Sequence, residues 1–226
     1  MITIRKHDDR GHARHSWLDT RYSFSFADYH DPRHMGISAL RVINQDFVAP
    51  HTGFPAHAHD NMEILTYVLR GAVSHRDSMG NEQRVAAGEF QLMSAGTGIT
   101  HSEYNREHEP MEMLQIWLYP NVRNSEPGYQ QKHFADVNGL QLVVSPDGRD
   151  GSLQIRQDAS IWRGRLPAGT PVSHSLQGSN VWLQVITGQL HAGGEPLQAG
   201  DGAASTERHL DLKALTDTEF LLFDLP

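Results

Sequence analysis

Short runs of apolar residues, mostly alternating with polar ones and cut by Gly, Asn, Asp and Pro, dominate the chain; little of it keeps a helical period. The clearest are "SALRVINQDFV", "EILTYVLRG", "RVAAGEFQLMSA", "EMLQIWLYP", "LQLVVSP", "SLQIRQD", "NVWLQVITGQL" and "EFLLFDLP". Strands at this spacing predict an all-β sandwich or barrel. The stretch "DSMGNEQ" has the composition of a hairpin turn, joining a strand that leaves Gly71 to one that ends near Gly88. Residues 122–139, "VRNSEPGYQQKHFADVNG", are polar and aperiodic, and are predicted to link two domains, 1–136 and 137–226.

The pattern occurs twice. "VLRG" ending at Gly71 is followed by "AAGE", and "VITG" ending at Gly188 is followed by "QAGD". Equal steps back from the two glycines reach His57 and His174, while His59 matches Leu176 and Glu63 matches Asn180. Two related β-barrels are therefore expected, with the means for chemistry retained only in the first.

Composition narrows that chemistry. Without cysteine, a metal site must be built from the chain's fifteen histidines and its carboxylates. A net charge of −8, with no basic run, argues against binding nucleic-acid phosphates. The first residues, "MITIRKHDDRGHARH", form no signal peptide, and no stretch approaches a membrane span, so a cytoplasmic protein is expected.

Alternation along a strand puts residues two apart on one face. In "HAHD" it gives His57 and His59 a common side, and in "THSEYN" it does the same for His101 and Glu103. An isolated His-X-His in a polar loop is more often solvated than metal-bound. A second such pair, reached through Gly88, Gly96 and Gly98, favours a metal. Three imidazoles and a carboxylate suit a divalent first-row ion and leave a coordination position open. Glu63 and Glu103 both compete for the carboxylate place on spacing alone. None of the other histidines forms a second cluster of comparable spacing; His30 and His34 fit an Asp-Pro turn. Met79, Met93, Met111 and Met113 are read as core fillers, and Trp117 and Phe90 as candidates for lining an aromatic pocket.

These residues carry a family resemblance. Gly53, His57, His59, Glu63 and Gly71 resemble the first cupin motif, and Gly88, Gly96, His101 and Asn105 the second, although Ser94 stands where the second usually has Pro. Within the cupins, "GHARHSWLDTRYSFSFADYHDPRHMGISALRVINQD" and "MSAGTGITHSEYN" resemble the pirin family, which includes short bacterial proteins described as quercetin 2,3-dioxygenases. The resemblance spans nearly the whole chain and is strongest over residues 10–120. It implies a bicupin, two face-to-face double-stranded β-helix (jelly-roll) barrels, with metal in the first alone. It also implies His57, His59, His101 and Glu103 as ligands, Glu103 as the catalytic base, and Glu63 in a supporting place. The metal would be one divalent transition ion, iron foremost, with manganese, cobalt, nickel, copper or zinc as alternatives. The implied activity is cleavage of a flavonol by dioxygen in a monomeric enzyme. The alternative is a metal-containing regulatory or redox-sensing protein that binds a protein partner without turnover.

Overall fold

The structure, a computed structural model, describes residues 2–226. Among them there is no α-helix, only strands and two 3-10 turns, and none is long and apolar enough as a helix to cross a membrane. The chain divides into two compact units: one of Gly11–Gly36 and Leu40–Phe134, the other of the segment up to Arg10 with Ile37–Ala39 and Ala135–Pro226.

Each unit consists of a seven-stranded and a four-stranded sheet with the same strand order. In the first, the central strands of the larger sheet run Glu89–Ser94, Glu63–Arg70, Met111–Leu118, Leu40–Val48; in the second, Gly202–Ser205, Asn180–Thr187, Thr218–Leu225, Ser160–Leu166. The smaller sheets run Gly53–His59, Ile99–Tyr104, Ala72–Asp77, Glu82–Ala86, and Pro171–Ser175, His209–Ala214, Gln189–Ala192, Glu195–Gln198. The repeated phrase has a backbone cause. Gly71 and Gly188 both turn with positive φ, +75° and +78°, and a Cβ on Gly188 would stand 2.2 Å from the Asp217 carbonyl oxygen.

Alternation fills each barrel. In the first, Val68, Met111 and Met113 of the larger sheet meet Val73 and Val85 of the smaller. In the second, Leu183, Val185 and Phe220 meet Leu190, Leu210 and Leu212. Met93 is also fully buried, but Met79 lies on the hairpin turn, 41% exposed, and is not a core residue.

The strand pattern also departs from the sequence reading in two places. The predicted linker carries a strand, Gly128–His133, paired antiparallel along Glu89–Ser94 as an edge of the first unit's larger sheet. The corresponding edge of the second unit is Thr3–Arg5, paired with Gly202–Ser205, so the N-terminal segment belongs to the second unit and not to the first. Both are edge strands, half solvated and short, and carry too little apolar alternation to stand out in the sequence.

Candidate metal centre

His57 and His59 lie at the end of the Gly53–His59 strand, and the neighbouring Ile99–Tyr104 strand places His101 directly opposite His57. The three rings converge: centroids are 4.5 Å apart for His57 and His101, 4.8 Å for His57 and His59, and 5.0 Å for His59 and His101. One nitrogen from each lies within 4.8 Å of the others. Nδ1 of His57 is 2.8 Å from the Pro55 carbonyl oxygen, so it donates there and leaves Nε2 as the lone-pair nitrogen.

The other two imidazoles lack partners. Nε2 of His59 and both nitrogens of His101 are buried with no hydrogen bond. Buried polar atoms are almost always satisfied, so several orphans facing one another call for an explanation. Protonation does not provide it. Burial, reinforced by the neighbouring imidazoles, pulls the pKa of His101 down to about 3 and that of His59 to about 4. Both are neutral at pH 7, the form that ligates a metal. Convergent neutral imidazoles beside a carboxylate, with no thiolate, fit a divalent first-row ion.

Glu103 follows His101 across a bulge that sets it opposite Phe54, and it is 1% exposed. Its Oε1 accepts from Gln91 Nε2 at 2.8 Å and its Oε2 from Gln115 Nε2 at 2.7 Å. It lies within 4.8 Å of His101, in a group completed by His75 rather than by His57 and His59. His75 is the residue that sequence reasoning missed. It is buried on the Ala72–Asp77 strand opposite Glu103, and its Nε2 is 2.9 Å from Asp77 Oδ2. The available signal was "HRD", a histidine and an aspartate two apart on a strand.

Glu63 faces elsewhere. Thr66, Gln91 and Gln115 point toward Glu103, whereas Glu63 lies on the other face of the larger sheet, where it accepts from Ser94 Oγ at 2.8 Å. Its parity with His59 fails because the chain turns at Asn61, whose φ of +45° interrupts the alternation between the two strands. Phe90 shares that face, stacked on Tyr67 at 4.0 Å, and so does not line the pocket.

A cavity of about 290 Å³ adjoins the cluster, lined by His57 and Glu103, by the rings of Tyr22, Phe26, Phe54 and Trp117, and by polar Asn44, Asp46 and Gln115. That is close to the lower end of small-molecule sites, with the expected apolar walls and few polar groups. Trp117 connects wall to cluster, edge-on to Phe26 at 5.3 Å and to His59 at 4.9 Å.

The second barrel has only the remnant. His174 lies opposite Leu210, as His57 lies opposite His101, and Leu176 and Leu210 belong to the apolar core there. Its Nε2 is buried without a partner and its ring meets Trp162 at 4.5 Å. Among the described residues no group of three ligand-type side chains forms in this unit.

Residues 3–118 match the family model described as Pirin, and residues 142–225 that described as Quercetinase C-terminal cupin domain. The chain is 49% identical to a quercetin 2,3-dioxygenase of Escherichia coli (strain K12), covering all of this chain and 99% of that one. It is 40% identical to a pirin-like protein of Caulobacter vibrioides, over 99% of each chain. The crystal structure of the bacterial pirin YhhW of Escherichia coli in complex with nickel(II) superposes with a TM-score of 0.97 at 49% identity, covering 100% of this chain and 99% of that one.

Proposed function

The chain belongs to the pirin family, and from that premise we propose that it is a metal-dependent dioxygenase that opens the heterocycle of a flavonol such as quercetin, taking up dioxygen and releasing carbon monoxide. The observation that carries this reading is the convergence of three imidazoles, two of them, His59 and His101, with unpartnered buried nitrogens, beside an aromatic-walled cavity. The relatives named quercetin 2,3-dioxygenase support it from sequence.

His57, His59, His101 and Glu103 are the residues proposed to hold the ion, with iron the metal put forward among the divalent transition ions this donor set accepts. Bound there, the ion supplies Lewis acidity for a deprotonated substrate oxygen and a centre for dioxygen chemistry. The remaining work falls to side chains. Tyr22, Phe26, Phe54 and Trp117 offer flat apolar faces and edges to a planar polyphenol and keep water from the reacting carbons. Asn44, Asp46 and Gln115 give the same cavity hydrogen-bonding groups for ring hydroxyls. Glu103, held by Gln91 and Gln115 from two strands of the larger sheet, takes the proton of the substrate's 3-hydroxyl.

Oxygen uptake and loss of flavonol absorbance, followed on mixing with protein loaded separately with iron, manganese, cobalt, nickel, copper and zinc, test the reading. Turnover with at least one metal, absent from metal-free protein, is expected. Failure with every metal and with several flavonols overturns it in favour of a partner-binding regulator.

A further inference from the structure

His101 is a member of two groups of ligand-type side chains. It meets His57 and His59 in one and His75 and Glu103 in the other, and within each group the ligand atoms lie within 4.8 Å of one another. The second group is the more deeply buried: His75, His101 and Glu103 are 1%, 2% and 1% exposed.

His75 is held as ligating histidines are held. Asp77 Oδ1 accepts from the backbone N–H groups of Met79 at 2.9 Å and Asn81 at 3.1 Å, and Oδ2 accepts from Asn81 Nδ2 at 2.8 Å. A carboxylate so engaged can only accept from His75 Nε2, which therefore carries the proton in the neutral ring. Nδ1 is left with its lone pair, and it is buried with no partner. A core histidine serving only to pack would leave that nitrogen unsatisfied at a cost. A carboxylate on the far nitrogen, fixing tautomer and ring angle, is the outer-shell arrangement of metal-bound histidine. The ring is further fixed by Tyr129, stacked at 4.7 Å.

We propose that His75, His101 and Glu103 form a second, inner position for a divalent first-row cation, sharing His101 and Glu103 with the ligand set proposed above. Two divalent charges sharing one imidazole, with Glu103 the only carboxylate in either group, would repel strongly in a buried setting, so the barrel holds one ion at a time. Of the inner three, only Glu103 lines the aromatic cavity.

Cobalt(II) titration of the full chain, read by calorimetry and by the metal's visible absorption, tests this without any turnover. Wild type is expected to bind one ion. The double substitution His57→Ala, His59→Ala leaves the inner group complete and should still bind one ion, weakened by at least the roughly 10- to 100-fold that loss of an outer-shell partner costs. Adding His75→Gln to the double variant should abolish that binding, and Asp77→Asn should weaken it further, with unchanged circular dichroism showing that both variants fold. A folded double variant that binds no cobalt, or one indifferent to His75→Gln, overturns the inner position alone. Absence of binding by wild type overturns both the inner position and the proposed enzyme.

Discussion

The side-chain amide of Gln115 donates to Glu103 Oε2 at 2.7 Å, the two residues meeting inside the first barrel from opposite sheets. Gln91 holds the other oxygen, and the Thr66 hydroxyl bridges to Gln115 Oε1 at 3.0 Å. The carboxylate is thus fixed by its neighbours before any ion or substrate arrives. Gln115→Leu removes one charge-assisted bond from a buried acceptor. It should lower the unfolding free energy of metal-free protein by about 1–3 kcal/mol in urea titrations. Gln45→Ala breaks a similar 2.8 Å amide bond to partly exposed Glu112 and should cost no more than about 0.5 kcal/mol. Equal costs for the two would mean that the clamp on Glu103 is energetically idle.

Metal content separates the carboxylates. His101 is common to both ligand groups, so His101→Ala should leave dialysed protein without metal by elemental analysis. Glu103→Gln should weaken binding by more than the roughly 10- to 100-fold typical of losing an outer-shell partner. Glu63→Gln should retain wild-type content, because that side chain faces Ser94 on the far side of the sheet. Loss of metal from Glu63→Gln with retention in Glu103→Gln would falsify the ligand set.

What the sequence could disclose depended on how local each relationship is. His57 with His59, and His101 with Glu103, are pairs within one strand, and alternation alone gives them a common side. The repeat of Gly71 in Gly188 was readable because both positions need a positive φ that few other residues adopt. His75 was hidden because its group exists only once Ala72–Asp77 pairs with Ile99–Tyr104, a contact made by register rather than by spacing. Glu63 was misplaced by carrying alternation through Asn61, where the backbone leaves the extended region. The edge strands Thr3–Arg5 and Gly128–His133 owe their form to the neighbours they pair with, and their own residues show little preference.

His174 tests the asymmetry of the barrels. With Leu210 opposite it and Leu176 two residues on, it has no partner ligands, and its ring packs against Trp162. His174→Ala should leave metal stoichiometry and turnover at wild-type levels while lowering the melting temperature slightly. A fall in metal content would mean that the second barrel contributes a site of its own.

Acid should destabilise the metal-free protein through the same imidazoles. In the unfolded chain histidine titrates near 6.5, whereas burial holds His59 at about 4 and His101 at about 3 in the fold, with His174 also lowered by burial. Between pH 6.5 and about 4 the unfolded chain therefore binds protons that the folded one refuses. By linkage, stability falls as pH falls through that window and is fully present only above it. Carboxylates with lowered pKa, such as Asp31 beside Arg33, lose their contribution in acid too, but below their unfolded value of 3.8, so the two windows separate. The urea midpoint of metal-free protein should accordingly drop between pH 7 and pH 4.5. The double substitution His59→Gln, His101→Gln should flatten that slope, since neither replacement titrates. A slope unchanged by the double substitution would show that these rings take up protons in the fold as readily as in water, and the neutral, convergent cluster would lose its physical basis.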